Sequence, residues 1–212
     1  MAADIGDNLV DAKCPLGQVI IGVDEAGRGP LAGPVVAAAC VLGSDAPCGL
    51  DDSKKLSVKR RAVLEPQIKA SCRWSLGVVE ADEIDRINIF AATMLAMTRA
   101  VAGLVAQLAA EPDEVLIDGN KTPAGRVPEW RWNARAIVGG DALEPCISAA
   151  SILAKEHRDR LMREYALVHP HFGWERNMGY GTAEHLAALH EHGPCSLHRR
   201  SFAPVAQLSF LP

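Results

Sequence analysis

Ile20-Ile21-Gly22-Val23-Asp24-Glu25-Ala26-Gly27-Arg28-Gly29-Pro30-Leu31-Ala32-Gly33-Pro34 decides how the chain is read. The apolar opening is that of a buried strand. Two adjacent carboxylates end it, and a glycine-rich turn with a central arginine follows. A second apolar run, Pro34–Leu42, reads as the next strand. A buried strand that carries Asp24 and Glu25 to its tip needs a reason, because an unpaired buried carboxylate is costly. A metal ion, an arginine partner and exposure at the tip all meet that need.

Working outward, Ser57–Ala70 is expected to be helical, with Pro66 ending or bending it. Trp74–Glu80 alternates as a third strand. A helix follows over Ala81–Ala110, broken near Asn88. Val115–Asp118 is a short apolar run, again closed by an acid, and Trp132–Val138 is a fifth strand. Asp141–Val168 is expected as one long helix, with a capping-box spacing at Asp141–Glu144, Pro145 in its first turn and a buried stripe of Ala150, Ala154, His157, Leu161, Tyr165 and Val168. Pro170–Thr182 reads as a loop, Thr182–His192 as a short helix and Gly193–Pro212 as a tail without periodicity. Strands joined by a turn and followed by helices give an α/β domain with at least one antiparallel pair. The divisions expected are a mobile segment over 1–17, a catalytic domain over 18–181 and a C-terminal helical extension and tail over 182–212.

The chain has 212 residues, 49% of them hydrophobic, which suffices for one sizeable core. No uncharged apolar run reaches the roughly 18 residues of a membrane span. The first 17 residues lack a secretion signal. The six cysteines form no C-x-x-C pair, so reduced thiols and a cytoplasmic location are expected. The net charge of −4 excludes a uniformly basic nucleic-acid binder. Charge is unevenly placed, however: Ser53–Ser75 carries seven basic residues and one acid, and Leu76–Gly119 carries eight acids and two arginines. Lys54, Lys55, Lys59, Arg60 and Arg61 form either a solvated helix face or a phosphate-contacting one.

Asp24-Glu25 and Asp118 each follow an apolar strand and precede a glycine within two residues. Strands of one sheet can set such ends side by side, and carboxylates that close raise one another's pKa unless a cation joins them. Oxygen-only ligands favour Mg²⁺ or Mn²⁺ over zinc. Asp141, after Gly139-Gly140, is a fourth acid, or else a helix N-cap. Four such acids suit two metals about 3.5–4 Å apart acting on phosphorus. No nucleophile elbow, H-E-x-x-H or G-x-x-x-x-G-K-[ST] motif is present. The stretch His190–His198 has zinc-type donors at no standard spacing, and reads as a solvated helix end and loop.

Together these stretches resemble bacterial ribonuclease HII, the type 2 ribonuclease H, from about Gln18 to Val205. The resemblance is carried by Asp24–Pro30 with Ala32–Val35, by Asp52–Ser57, by Glu83-Ile84-Asp85 with Ile87-Asn88, and by Asp118-Gly119-Asn120. It continues through Ser148–Lys155, Gly179–Thr182 and His198–Phe202. It implies a ribonuclease H-like fold, a five-stranded mixed sheet flanked by helices with a C-terminal helical extension. It implies two-metal cleavage, with Mn²⁺ or Mg²⁺, of RNA in RNA–DNA hybrids. It also implies cleavage on the 5′ side of single ribonucleotides within duplex DNA, leaving 5′-phosphate and 3′-hydroxyl ends. The family's metal-binding acids fall on Asp24, Glu25, Asp118 and Asp141. Members often carry a lysine two residues before the last acid, where this chain has Gly139. The family's 2′-hydroxyl-sensing motif falls on Gly27-Arg28-Gly29, and its stacking tyrosine on Tyr180. Lys54, Lys55, Arg199 and Arg200 become expected phosphate contacts. Gln207–Leu211 resembles the short peptide with which bacterial proteins bind the sliding clamp, the alternative being a tail folded back on the domain. A monomer is expected. Two other classes remain open: a phosphotransferase on the same fold and a binding protein without catalysis.

Overall fold

A computed structural model describes residues 17–108 and 110–208. The expectations for residues 1–16 and for the end of the Gln207–Leu211 peptide fall outside them. The described chain runs β1 (Ile20–Ala26), β2 (Val35–Val41), α1 (Val58–Ser71), β3 (Arg73–Val79), α2 (Ala81–Val105), β4 (Glu114–Asp118), β5 (Ala134–Ile137), α3 (Gly140–Leu143), α4 (Pro145–Val168), a 3₁₀ turn (Pro170–Phe172), α5 (Trp174–Asn177), α6 (Ala183–His192) and α7 (Ala203–Leu208). The strands form one mixed sheet in the order β3-β2-β1-β4-β5. β1 and β2 are antiparallel, as are β2 and β3, whereas β1–β4 and β4–β5 are parallel.

Alternation along the strands sorts the core into two layers. Val35, Ala37, Ala39 and Val41 of β2 join Ile21, Val23 and Ile117 in packing against α2. Val36, Ala38 and Cys40 face the other way, onto α1 and α4. With both faces covered, every residue of β2 is buried. By length and composition α2 could cross a membrane, but half of its apolar stretch is buried, and it packs on the sheet as a core helix.

Two glycines set how closely the helices approach. A Cβ at Gly22 would lie 2.2 Å from the Cys146 carbonyl carbon, and one at Gly77 would lie 2.0 Å from the Ala96 oxygen. A third apolar cluster joins the loop after β1 to the end of the chain: Leu31 and Ala32 pack with Met162, Phe172, Trp174, Leu189 and Val205. Leu31, Gly33 and Arg199 add backbone hydrogen bonds across the same junction.

Several local expectations are corrected. α1 runs through Pro66: Ala62, whose carbonyl loses its partner, and Pro66 itself are both on the solvent side, where water can serve that carbonyl. The expected Asp141–Val168 helix is two helices. Glu144 is extended (φ −118°, ψ 111°), as the residue before a proline prefers to be, so the capping box does not form. The buried face of α4 carries Arg158, Asp159, Met162 and Ala166, while Val168 is 74% exposed. The expected break in α2 does occur at Asn88 (φ 66°, ψ 162°); its side chain accepts from the Phe90 and Ala91 amides and so restarts the helix.

Gly22→Ala is expected to cost about 3 kcal/mol of stability, because the clash is with helix backbone rather than with a movable side chain. An unchanged urea midpoint would show that α4 can shift freely on β1.

Candidate active site

The parallel register pairs Val23 with Ile117, so the next residues, Asp24 and Asp118, lie level on neighbouring strands. Asp118 ends β4, whereas β1 runs on past the expected end at the paired acids, through Glu25 to Ala26, on its pairing with β2. Both lie on the α4 face, opposite to Val23 and Ile117. Asp141 enters from the first turn of α3. Carboxylate oxygens of Asp24, Asp118 and Asp141 all lie within 4.8 Å of one another. Asp24 and Asp141 are only 4% and 6% exposed. Glu25, one residue on, points to the α2 face, where its carboxylate meets the Arg28 guanidinium at 3.4 Å. The converging trio is therefore Asp24, Asp118 and Asp141, with Glu25 beside Asp118 on the other face.

The alternative role for Asp141, helix N-cap, is not the one it has. Gly139 is the N-cap of α3. Asp118 does the capping instead, its Oδ1 accepting from the Gly140 amide at 2.8 Å and the Asp141 amide at 3.4 Å. Asp141 is left with its carboxylate in the cluster.

Electrostatics mark this as a cation site. Burial, then Glu25 and Asp118, raise the Asp24 pKa well above the ordinary carboxylate value, against hydrogen bonds from the Ser151 hydroxyl and the Glu25 amide. Burial also raises Glu25, which Arg28 partly offsets. Asp141 is raised by burial, then by Asp118 and Asp52. Lys54 sits at the rim: burial opposes its charge, but Asp24, Asp52, Asp141 and Asp118 together raise its pKa. All-oxygen donors with too little positive charge around them fit hard divalent cations, which Asp24, Asp118, Asp141 and Glu25 would hold. Asp52 and Ser151 were not singled out as site residues from sequence. Each lay in a quoted motif, but only the packing of the loop before α1 and of α4 brings them to the acids.

Beside the acids lies a pocket of about 250 Å³, lined by Asp24, Glu25, Gly27-Arg28-Gly29, Lys54, Lys155 and Tyr180. Tyr180 is 49% exposed, and a Cβ on Gly29 would lie 3.5 Å from its ring. Ring and turn thus lie side by side in the pocket lining. The Tyr180 carbonyl is 2.9 Å from His185 Nδ1, and His185 Nε2 is 3.0 Å from His198 Nε2. His198 is buried, with its pKa pushed down to about 3, chiefly by burial. The end of the His190–His198 stretch is therefore interior, not solvated. A larger cavity of about 630 Å³ opens at the opposite end of the sheet, among Ile20, Leu42, Leu116 and Cys146. It is mainly apolar and far from the carboxylate cluster, so the chemistry belongs to the smaller pocket.

Of the four expected phosphate contacts, Lys54, Lys55 and Arg200 are exposed. Lys55 lies 3.8 Å from Asp51, and the Arg200 amide donates to Asp85. Arg199 is corrected: it is 0% exposed, and its guanidinium donates to the carbonyls of Gly33, Arg28 and Gly27. Charge alone could not show that its donors are spent on the backbone.

Asp24→Asn should stabilise the protein in a chelating buffer. A carboxyl whose folded pKa is raised favours the folded state while protonated, and that contribution is lost as pH climbs from the ordinary carboxylate value towards the raised one. The variant should melt above the parent at pH 7, and the gap should close towards pH 4. A lower melting temperature at pH 7 would refute the charge burden assigned to Asp24.

Comparison with known proteins agrees with this geometry. The family model described as Ribonuclease HII matches residues 21–205. A Ribonuclease HII of Novosphingobium aromaticivorans is 76% identical over 195 residues, covering 91% of this chain and all of that protein. One from Erythrobacter litoralis is 65% identical over 207 residues, 98% of each chain. Among solved structures, the RNase HII in a PCNA complex from Archaeoglobus fulgidus superposes with TM-score 0.71 at 26% identity, covering 91% of this chain and 98% of that one. Bst-RNase HIII in complex with Mn²⁺ shares the fold, with TM-score 0.71 at 21% identity, over 90% of this chain and 68% of that one. Carboxylates gathered by a ribonuclease H-like sheet, in a chain matched almost end to end, place this protein in the ribonuclease HII family, as a metal-dependent ribonuclease H.

Proposed function

We propose that the enzyme cleaves RNA in RNA–DNA hybrids and also cuts on the 5′ side of single ribonucleotides embedded in duplex DNA, leaving 5′-phosphate and 3′-hydroxyl ends. The observation that carries this reading is the shared pocket: Asp24, which gathers with Asp118 and Asp141, and Glu25 line it together with the Gly27-Arg28-Gly29 turn and Tyr180. A phosphodiester against the acids leaves its ribose against the turn and Tyr180.

Asp24, Glu25, Asp118 and Asp141 would hold two Mg²⁺ or Mn²⁺ ions, which supply the positive charge that hydrolysis needs at both the nucleophile and the leaving oxygen. The chain's own groups do the rest. Asp118 holds the α3 turn that carries Asp141. Lys54 brings an ammonium to the rim, where a phosphate enters. The turn offers backbone amides to a sugar at a position without side-chain bulk, and the Tyr180 hydroxyl can bond the 2′-oxygen, the atom that separates RNA from DNA. Selectivity is then partly substrate-assisted, since the 2′-hydroxyl completes the site. Arg158, whose guanidinium donates to the carbonyls of Pro34, Met178 and Ala32, ties the turn to the Tyr180 loop.

The clamp-binding reading of Gln207–Leu211 rests on the sequence of the peptide and on the PCNA complex of the Archaeoglobus relative. Gln207, the first residue of the peptide, lies exposed on α7, two residues beyond buried Val205. Cys40, Cys48, Cys72 and Cys195 are free thiols, which supports the cytoplasmic reading.

A duplex with one ribonucleotide, digested in Mg²⁺ and in Mn²⁺ and mapped at nucleotide resolution, tests the function. A single cut 5′ to the ribonucleotide with a 5′-phosphate is expected. Cleavage of long hybrid with an intact single-ribonucleotide duplex would remove the second activity. Tyr180→Phe keeps the ring and loses the hydroxyl. It should slow single-ribonucleotide cleavage by about tenfold, the value of one hydrogen bond near the top of the usual range, and slow hybrid cleavage less, because a hybrid offers several registers. Equal losses on both substrates would reduce Tyr180 to a support for its loop.

A further inference from the structure

Arg199 is wholly buried without an ion pair among the described residues. Its nearest charged neighbours are Arg158, which opposes its charge, and Asp85, which favours it. A buried, unpaired guanidinium is expensive, so what it holds is informative. All three faces of its planar fork go to one turn: Nε to the Gly33 carbonyl at 2.9 Å, Nη1 to Arg28 at 3.0 Å and Nη2 to Gly27 at 2.6 Å. Its own amide takes the Leu31 carbonyl at 2.8 Å.

The consequence lies in the peptide planes. A trans peptide points its N–H opposite to its carbonyl, and no described peptide is cis. With the Gly27 and Arg28 carbonyls drawn inward to Arg199, the N–H groups of Arg28 and Gly29 are turned away from it. Neither amide has an acceptor among the described residues. Both residues line the pocket, beside the Tyr180 ring.

We infer that Arg199 is a positioning residue for ribose recognition: its guanidinium fixes two consecutive peptide planes so that the Arg28 and Gly29 amides present a pair of preset donors to a 2′-oxygen. The fork also places positive charge on the carbonyl side of both peptides, which polarises their N–H groups as donors. Lysine cannot substitute, because an ammonium is a point charge without the planar three-sided geometry. The inference rests on the 2′-hydroxyl reading above and assigns the residue that makes the turn competent for it.

Affinity measured by fluorescence anisotropy in Ca²⁺, which stands in for the ions without turnover, separates the two claims. The probes are an all-DNA duplex and the same duplex with one ribonucleotide. The parent should prefer the ribonucleotide duplex. Arg199→Lys should lower that preference by about tenfold, the combined value of two modest hydrogen bonds, and leave all-DNA affinity unchanged. A purely architectural role would weaken both duplexes alike, and that result, or an undiminished preference, overturns the inference. A parent with no preference would instead overturn the 2′-hydroxyl reading itself. If the variant does not fold, the unmodified protein supplies the second readout. The Arg28 and Gly29 amide resonances and the Arg199 Nε–H resonance should move with the ribonucleotide duplex and not with all-DNA. Moving amides beside a still Arg199 Nε–H would overturn the role given to Arg199.

Discussion

The parallel pairing of β1 with β4 is the constraint on which the rest depends. Its register sets Asp24 level with Asp118, and the alternation of a strand puts both on the face that α4 covers. Once α4 packs down on Gly22, Asp24 is shut away from solvent, and Asp141 brings a third carboxylate from α3, after β5. The raised pKa values of Asp24 and Asp141 are the physical cost of that arrangement. The ammonium of Lys54 lies at the rim, and that of Lys155 is held by Asp159. A fold that buries negative charge with so little to balance it gives up stability for a cation site.

The other half of the pocket solves the opposite problem. Gly27 and Gly33 have φ of 98° and 80°, a conformation open to glycine at little cost, but a glycine-rich turn also loses the most freedom on ordering. Arg158 and Arg199 hold it still from behind, with five carbonyls between Gly27 and Pro34 and one more at Met178 as their acceptors. These arginines come from α4 and from the segment before α7, so the turn is shaped by residues more than a hundred positions away.

That distance explains which parts of the protein were legible in sequence. The strands, the paired acids and the break at Asn88 are local signals, written in runs of a few residues. Glu25 and Asp24 looked alike because adjacent residues share a composition but not a face, and the difference appears only once the strand is placed in its sheet. The face of α4 is as expected at Ala150 and Ala154 but differs further along, because its interior positions there include Arg158 and Asp159, which pattern reading assigns to solvent; their burial depends on carbonyls and on Lys155, which holds Asp159 at 2.6 Å. Arg199 was misjudged for the same reason. Family resemblance supplied the site assignment that residue patterns alone left open among several roles.

A pocket built this way reads a nucleic acid without reading its bases. Phosphate contacts position a duplex and carry no sequence information. In the role proposed for them, the Arg28 and Gly29 amides, held as a pair, address the sugar, which is the same at every step of an RNA strand. Base identity therefore never needs to enter the site, and the selective element is a single oxygen. Such an element works only if its donors are already aimed, because one hydrogen bond is too weak to order a flexible turn as well as select a substrate. The buried guanidinium resolves this: the ordering is completed during folding, at the expense of burying Arg199, and the whole of the amide interaction remains for discrimination when the strand arrives.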